Sequence, residues 1–184
     1  RLDGVSWLNG RKGLPMFVEI GYLGQLEALH MDYNDIGGYF PDGFRYMPNL
    51  KGVGLMKTGL IGTLPDWIGE MTQLTTLGLG DKQIHGEVPE SIKNLKNIKI
   101  LGLDGNNGLT GSFNKFKSLN SLEALYLENN ALTGSLDNFN WPKLVELDVS
   151  DNMLDGPIPA SLFNHPTLLV VDIHKNMFIG SFPD

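Results

Sequence analysis

The sequence predicts an α/β-type solenoid, a right-handed superhelix of short stacked coils with one continuous parallel β-sheet on its concave side. Three observations predict it. A Gly-x-apolar-Pro pattern recurs at residues 38–41, 62–65, 86–89, 156–159 and 180–183. Upstream of these runs an apolar spacing, Leu-x-x-Leu-x-Leu-x-x-Asn-x-Leu, whose units start at Leu26, Leu50, Leu74, Ile98, Leu122, Leu144 and Leu168, separated by 24, 24, 24, 24, 22 and 24 residues. Glycine supplies 23 of 184 residues and proline ten, without a G-x-y period, which points to a turn recurring at fixed intervals.

Within each unit the last two apolar positions of the first half stand two apart, so they share one face of a short strand. These pairs are Leu29/Met31, Val53/Leu55, Leu77/Leu79, Leu101/Leu103, Leu125/Leu127, Leu147/Val149 and Val171/Ile173. The asparagine that follows (Asn34, Asn106, Asn130, Asn152, Asn176) turns the chain, and its amide can bond backbone groups of the neighbouring coil. Thr58 keeps part of that bonding in unit two; Lys82 cannot accept and is expected to interrupt the ladder in unit three. The outer side is filled by a second apolar pair: Phe44/Met47, Ile68/Met71, Ile92/Leu95 and Phe116/Leu119. One unit cannot bury its own apolar stripe; a stack can.

The full motif L-x-x-L-x-L-x-x-N-x-L-x-G-x-I-P resembles the plant-type leucine-rich repeat. Unit six states it almost completely with Leu144, Leu147, Val149, Asn152, Leu154, Gly156, Ile158 and Pro159. The resemblance covers residues 26–184. It is to the extracellular arrays of plant receptor-like kinases and receptor-like proteins, to polygalacturonase-inhibiting proteins, and to related algal proteins. It implies a leucine-rich-repeat superhelix with a mostly irregular or 3-10 convex side, a second short sheet at the L-x-G-x-I-P segment, and recognition of ligands or partner proteins. The family's cysteine-bearing caps have no counterpart in the chain.

Two domains of organisation follow: residues 1–25 as an irregular N-terminal partial repeat or cap, and residues 26–184 as seven repeats, the last truncated. Arg1 in place of a start Met and the stop in mid-unit read as a piece of something longer. Unit four carries an extra residue at Asn107-Gly108, units four and five lose the Pro to Asn114 and Asp137, and unit five is two residues short, with Trp141 where Leu95 and Leu119 sit. A local irregularity of the convex side is expected over residues 106–143.

The outward positions of the strands list the concave surface. Gly54, Gly78 and Gly102, with Gly52 and Gly80, form a glycine track that permits close approach of an extended ligand, unless they are merely unselected solvent positions. Tyr126, Glu128, Glu146, Asp148, Asp172 and His174 add an acidic, partly aromatic patch suited to a cationic or sugar-like partner, or else to solubility. On the convex side, Lys93, Lys96 and Lys117 mark a small basic patch and Trp67 a possible subunit contact; the alternatives are a solvated face and an aromatic covering its own neighbour.

The net charge of −7, from 14 Lys+Arg against 21 Asp+Glu, argues against nucleic acid as partner. No apolar run reaches the ~20 residues of a membrane span. With no cysteine there are no disulfides or thiolate metal sites. Histidines 30, 85, 165 and 174 lack metal-type spacing, and no nucleophile-elbow, zinc-protease or phosphate-loop motif appears. The sequence is therefore read as a non-catalytic recognition module without cofactor or metal, binding a protein, peptide or carbohydrate on its concave face, within a cell-surface or secreted protein. The first alternative is a scaffold subunit docked in a large complex through its convex side. A minor one is ice binding, disfavoured because the outward concave residues vary too much for a regular Thr or Asn ladder. The missing cysteines and N-glycosylation sequons leave an intracellular or organellar place open.

Overall fold

The computed structural model describes residues 18–80 and 83–181. Most of the partial repeat or cap expected over residues 1–25, and the break expected at Lys82, lie outside them. Seven three-residue strands form the concave sheet: β1 (Ala28–His30), β2 (Gly52–Gly54), β3 (Thr76–Gly78), β5 (Ile100–Gly102), β7 (Ala124–Tyr126), β9 (Glu146–Asp148) and β11 (Val170–Asp172). They pair in parallel in that order, each with the next repeat. Leu29, Val53, Leu77, Leu101, Leu125, Leu147 and Val171 are in register across the sheet. A second parallel sheet stacks β4 (His85–Glu87), β6 (Gly108–Ser112), β8 (Ala131–Ser135), β10 (Met153–Pro157) and β12 (Met177–Ile179).

The core runs as one apolar column between the sheets and the convex turns. Leu77, Leu101, Leu125 and Val149 are fully buried, as are Ile68, Ile92, Leu95, Phe116 and Leu119 of the outer pairs. Burying each Leu, Ile or Phe contributes about 1.5–3 kcal/mol, so the repeat's apolar spacing is also its energy source. The convex side is 3-10 at Asp42–Tyr46, Asp66–Glu70 and Glu90–Asn94. Each of these starts behind a proline (Pro41, Pro65, Pro89) whose φ of −66 to −73° is already set for the turn. Regular α-helix is confined, among the described residues, to Ala160–Phe163.

The irregular middle is packed with aromatics. Unit four lacks the proline, and its 3-10 turn starts earlier, behind Ser112, whose hydroxyl accepts from the Asn114 N–H at 3.2 Å. Unit five has no convex helix. There Trp141 is fully buried, its ring 5.7 Å from Phe113 and 5.3 Å from Phe139, its indole N–H donating to the Phe116 carbonyl at 3.3 Å. The Leu144 N–H donates to the Trp141 carbonyl, as the Leu122 N–H does to Leu119, so Trp141 occupies the Leu119 place in a coil two residues shorter. His165 stacks on Phe139 and sits 3.1 Å from the Trp141 carbonyl, a packed histidine.

The asparagines form the ladder. Asn152 donates to the carbonyls of Leu127 in the previous coil and of Val149 and Ser150 in its own, and its oxygen accepts from the Leu132 N–H at 3.0 Å. Asn176 repeats this toward Val149, Ile173 and the Leu154 N–H; Asn106 does so toward Leu79, Leu103 and the Ile84 N–H. Thr58 keeps the bond to the Leu55 carbonyl at 2.7 Å. At Asn130 both donor bonds persist, but the oxygen is buried without a partner, facing the coil that carries the extra residue. The residue just before the ladder position is left-handed in several coils: Tyr33, Lys57, Asn129, Asp151 and Lys175 have φ of 50–61°. That tight turn has no signature in the apolar spacing.

Two substitutions test this packing. Asn152→Leu leaves a buried N–H and buried carbonyls unpaired, at about 1–3 kcal/mol for each group stranded, and is expected to lower the urea midpoint more than the same change at the half-exposed Asn176. Trp141→Ala opens a cavity in the aromatic cluster and is expected to cost about 3–5 kcal/mol in equilibrium unfolding. A wild-type midpoint in either would contradict these roles.

Candidate functional site

The concave strands present their middle outward residues as a row, His30, Gly54, Gly78, Gly102, Tyr126, Asp148 and Asp172, because side chains alternate across a strand. A groove of ≈ 430 Å³ crosses this row from unit one to unit five. Its floor is Gly54, Gly78 and Gly102; its walls include Met56, Ile100, Tyr126, Asp104 and Glu128.

The glycines do different things. A methyl group at Gly54 would lie 2.6 Å from His30 Nδ1 and 2.7 Å from Asp32 Oδ2, so this glycine makes room for unit-one side chains folded over the sheet. Asp32 in turn accepts from the Met56 N–H at 2.7 Å. Gly80 is likewise covered by the Asp104 carboxylate. At Gly78 the nearest atom to such a methyl is Met56 Cγ at 3.5 Å, and φ is ordinary, so the floor there is open and a side chain would point into the groove.

The acidic residues separate into partnered and unpartnered. The Tyr126 hydroxyl donates to Glu146, which pushes the phenol up to about 12, with burial adding to the shift. Asp148 accepts from the Ser150 N–H and hydroxyl at 3.0 and 2.7 Å. Asp172 is held below the usual carboxylate range by His174, whose ring it bonds; His174 is raised for the same reason and also reaches Asp151 at 3.4 Å. Glu128 differs. One carboxylate oxygen is buried with no hydrogen-bond partner, and burial, reinforced by Asp104, Asp148 and Asp172, pushes the acid up to about 7. Burial likewise raises Asp104.

Of the residues singled out in the sequence, the groove brings together Gly54, Gly78, Gly102, Tyr126 and Glu128. Glu146, Asp148, Asp172 and His174 continue the face beyond its end. Asp104, Met56 and Ile100, which stand on the same outward rows, join the groove. The groove spans units one to five, because the glycine floor rather than the acid row makes the depression. On the convex side Trp67 is half-buried, its N–H donating to Asp42 at 2.9 Å and its ring beside Phe40 and Arg45. Lys93 pairs with Glu90, Lys96 donates to the Ser118 carbonyl, and Lys117 pairs with Asp137. Lys115 is buried, donating to the Val88 carbonyl and Glu87 as a clip between units three and four. Among the described residues no group of three or more His, Cys, Asp or Glu is placed to hold a metal, and no helix is long and apolar enough to cross a membrane.

A family model for the leucine-rich repeat matches residues 143–165, the unit that states the motif most fully. The ectodomain of the receptor kinase SOBIR1 from Arabidopsis thaliana superposes with a TM-score of 0.58 at 30% identity, over 65% of this chain and 68% of that one. The chain belongs to the plant-type leucine-rich-repeat family. The repeat array is similar to Receptor-like protein 35 of Arabidopsis thaliana, 32% identical over 146 residues, 77% of the chain and 15% of the relative. It also resembles the ectodomain of the Arabidopsis receptor kinase HAESA, solved with an N-terminally extended IDA peptide hormone, at a TM-score of 0.81 and 26% identity, covering 89% of the chain and 28% of that structure. The leucine-rich-repeat chain thus spans about one-seventh of the length of its curated relatives, 14%, 12% and 15% for three of them.

The raised Glu128 gives a signed stability test. A carboxyl that is harder to ionise in the folded state favours folding below its ordinary value of 4.5, and that advantage is lost as pH rises toward 7. Glu128→Gln, which cannot ionise, is expected to raise the melting temperature relative to wild type at pH 8 and to leave it unchanged near pH 4. Equal effects at both pH values would contradict the burial assigned to this carboxyl.

Proposed function

We propose that the chain is a non-catalytic recognition module of a receptor-like protein at the cell surface or outside the cell, and that its concave groove binds an extended peptide or protein segment. The glycine floor carries this reading: at Gly78, where it is open, a ligand main chain can lie against the strand itself. Five strands about 4.8 Å apart give a track of roughly 19 Å, which about six extended residues fill at ~3.3 Å each. The relatives' names add support, since they are receptor-like proteins and receptor kinases, and the HAESA structure holds a peptide hormone. A peptide is favoured over a carbohydrate because, among the described residues, Tyr126 is the one Phe, Tyr or Trp ring lining the groove and its hydroxyl is already committed to Glu146. The concave face is favoured over a convex scaffold contact because Trp67, Lys93, Lys96 and Lys117 all have intramolecular partners.

Selection of displayed dodecapeptides against the wild-type chain tests the reading. Gly78→Leu fills the floor without a backbone clash, and selected peptides are expected to bind it at least about tenfold more weakly. Tyr126→Ala is expected to cost about 1–3 kcal/mol. Peptides indifferent to both changes, yet lost with Lys93→Glu and Lys117→Glu together, would move the working surface to the convex side.

A further inference from the structure

The groove is not symmetric along its length. At the unit-one end the carboxylate of Asp32 is occupied, bonding the Met56 N–H and facing His30 at 3.9 Å. The middle is apolar, with Met56 and Ile100 over the glycine floor. At the unit-five end Asp104 and Glu128 line the groove beside the Tyr126 ring, and one Glu128 oxygen is buried with nothing to bond. Beyond the end stand Asp148 and Asp172, close enough to act on Glu128. Lys57 acts on Asp104, while its ammonium sits over the Tyr33 ring at 5.0 Å. A buried acceptor without a donor is costly to keep, and a donor arriving with positive charge relieves both the missing hydrogen bond and the repulsion among carboxylates.

We propose that the unit-five end of the groove is a seat for one basic side chain of the bound peptide, held between Asp104 and Glu128 with its aliphatic stem or guanidinium plane against Tyr126. This rests on the groove being the ligand site and adds what the ligand must carry: a single Lys or Arg at one end of a run of small or apolar residues. Arginine suits the seat better than lysine, because a planar fork can bond both carboxylates while lying on the ring. Tyr126 is held in place for this by its bond to Glu146. Occupation by a cation also pulls the Glu128 proton off. The charged groups acting on Glu128 are Asp104, Asp148 and Asp172, all acids, and Glu128 in turn acts on Tyr126, so binding strengthens as pH rises through 7 and releases a proton below it.

The test uses two capped hexapeptides of glycine, alanine and serine, one with arginine at its last position and one with its neutral isostere citrulline there, titrated into the ¹⁵N-labelled chain. The arginine peptide is expected to shift the amide signals of Gly102, Asp104 and Glu128, to bind about tenfold tighter than the citrulline peptide, and to tighten at least threefold between pH 5.5 and 8. In the Asp104→Asn, Glu128→Gln double variant the two peptides should bind alike and the pH dependence should vanish, while the Gly78 signal still moves. If both peptides shift Gly78 and Gly102 equally in the wild-type chain, the seat is overturned and the groove stands. If neither moves any groove signal, the groove reading fails and the seat with it.

Discussion

A coil that turns every 24 residues must satisfy backbone groups that no helix or strand of its own can reach, and the asparagine after each concave strand does this for two coils at once. Its amide donates to carbonyls in its own turn and in the turn before, and its oxygen accepts an N–H of the previous coil's second half. That reach fixes the vertical spacing of the stack and the register of the strands. Short strands of three residues have too few ladder bonds to set a register alone. The apolar column then closes around the geometry the asparagines impose, and Leu, Ile and Phe can repeat in kind because each meets an identical neighbour one coil away.

The concave face inherits its shape from this constraint. With register fixed, the middle outward residue of each strand falls on one line, so a change from Gly to Tyr along that line becomes a step from floor to wall. Gly54 and Gly80 show that the glycines are not interchangeable: both are covered by carboxylate or imidazole groups from adjacent coils, whereas Gly78 is open. The acids sort by the same rule. Those with a donor two residues on in the chain, such as Asp148 and Asp172, are satisfied locally. Glu128 is followed two residues later by the ladder asparagine, whose amide is spent mostly on the Leu103 and Leu127 carbonyls, so its buried oxygen finds no donor.

Much of this was legible in the sequence, and the parts that were not have a common cause. The concave strands, the buried pairs of the inner coils and the Trp141 substitution for leucine follow from spacing, because burial in a stack depends on position within the unit; Val171, in the last coil, is exposed. The outward row containing the groove was legible too, but not its depth or its end. Whether Asp104 folds over Gly80, or Glu128 is left unpaired, depends on side-chain directions between coils, which spacing does not encode. The partners of the convex lysines are not legible in the chain order; in space Lys93, Lys115 and Lys117 meet Glu90, Glu87 and Asp137. The left-handed residue before each ladder position is filled by Tyr, Lys, Asn and Asp alike, so no residue type announced it.

Inter-coil asparagine bonds hold the concave face as a rigid, preformed groove. Amide hydrogen exchange on the free chain tests it directly. The Leu132 and Leu154 N–H groups, bonded to Asn152 and Asn176, and the strand amides around Gly78, Gly102 and Tyr126 are expected to exchange together, at the slow limit set by unfolding of the stack. Strand amides exchanging as fast as the exposed loops, while the Leu132 and Leu154 amides stay protected, would mean that the ladder does not hold the concave face and that the groove forms only when a ligand arrives.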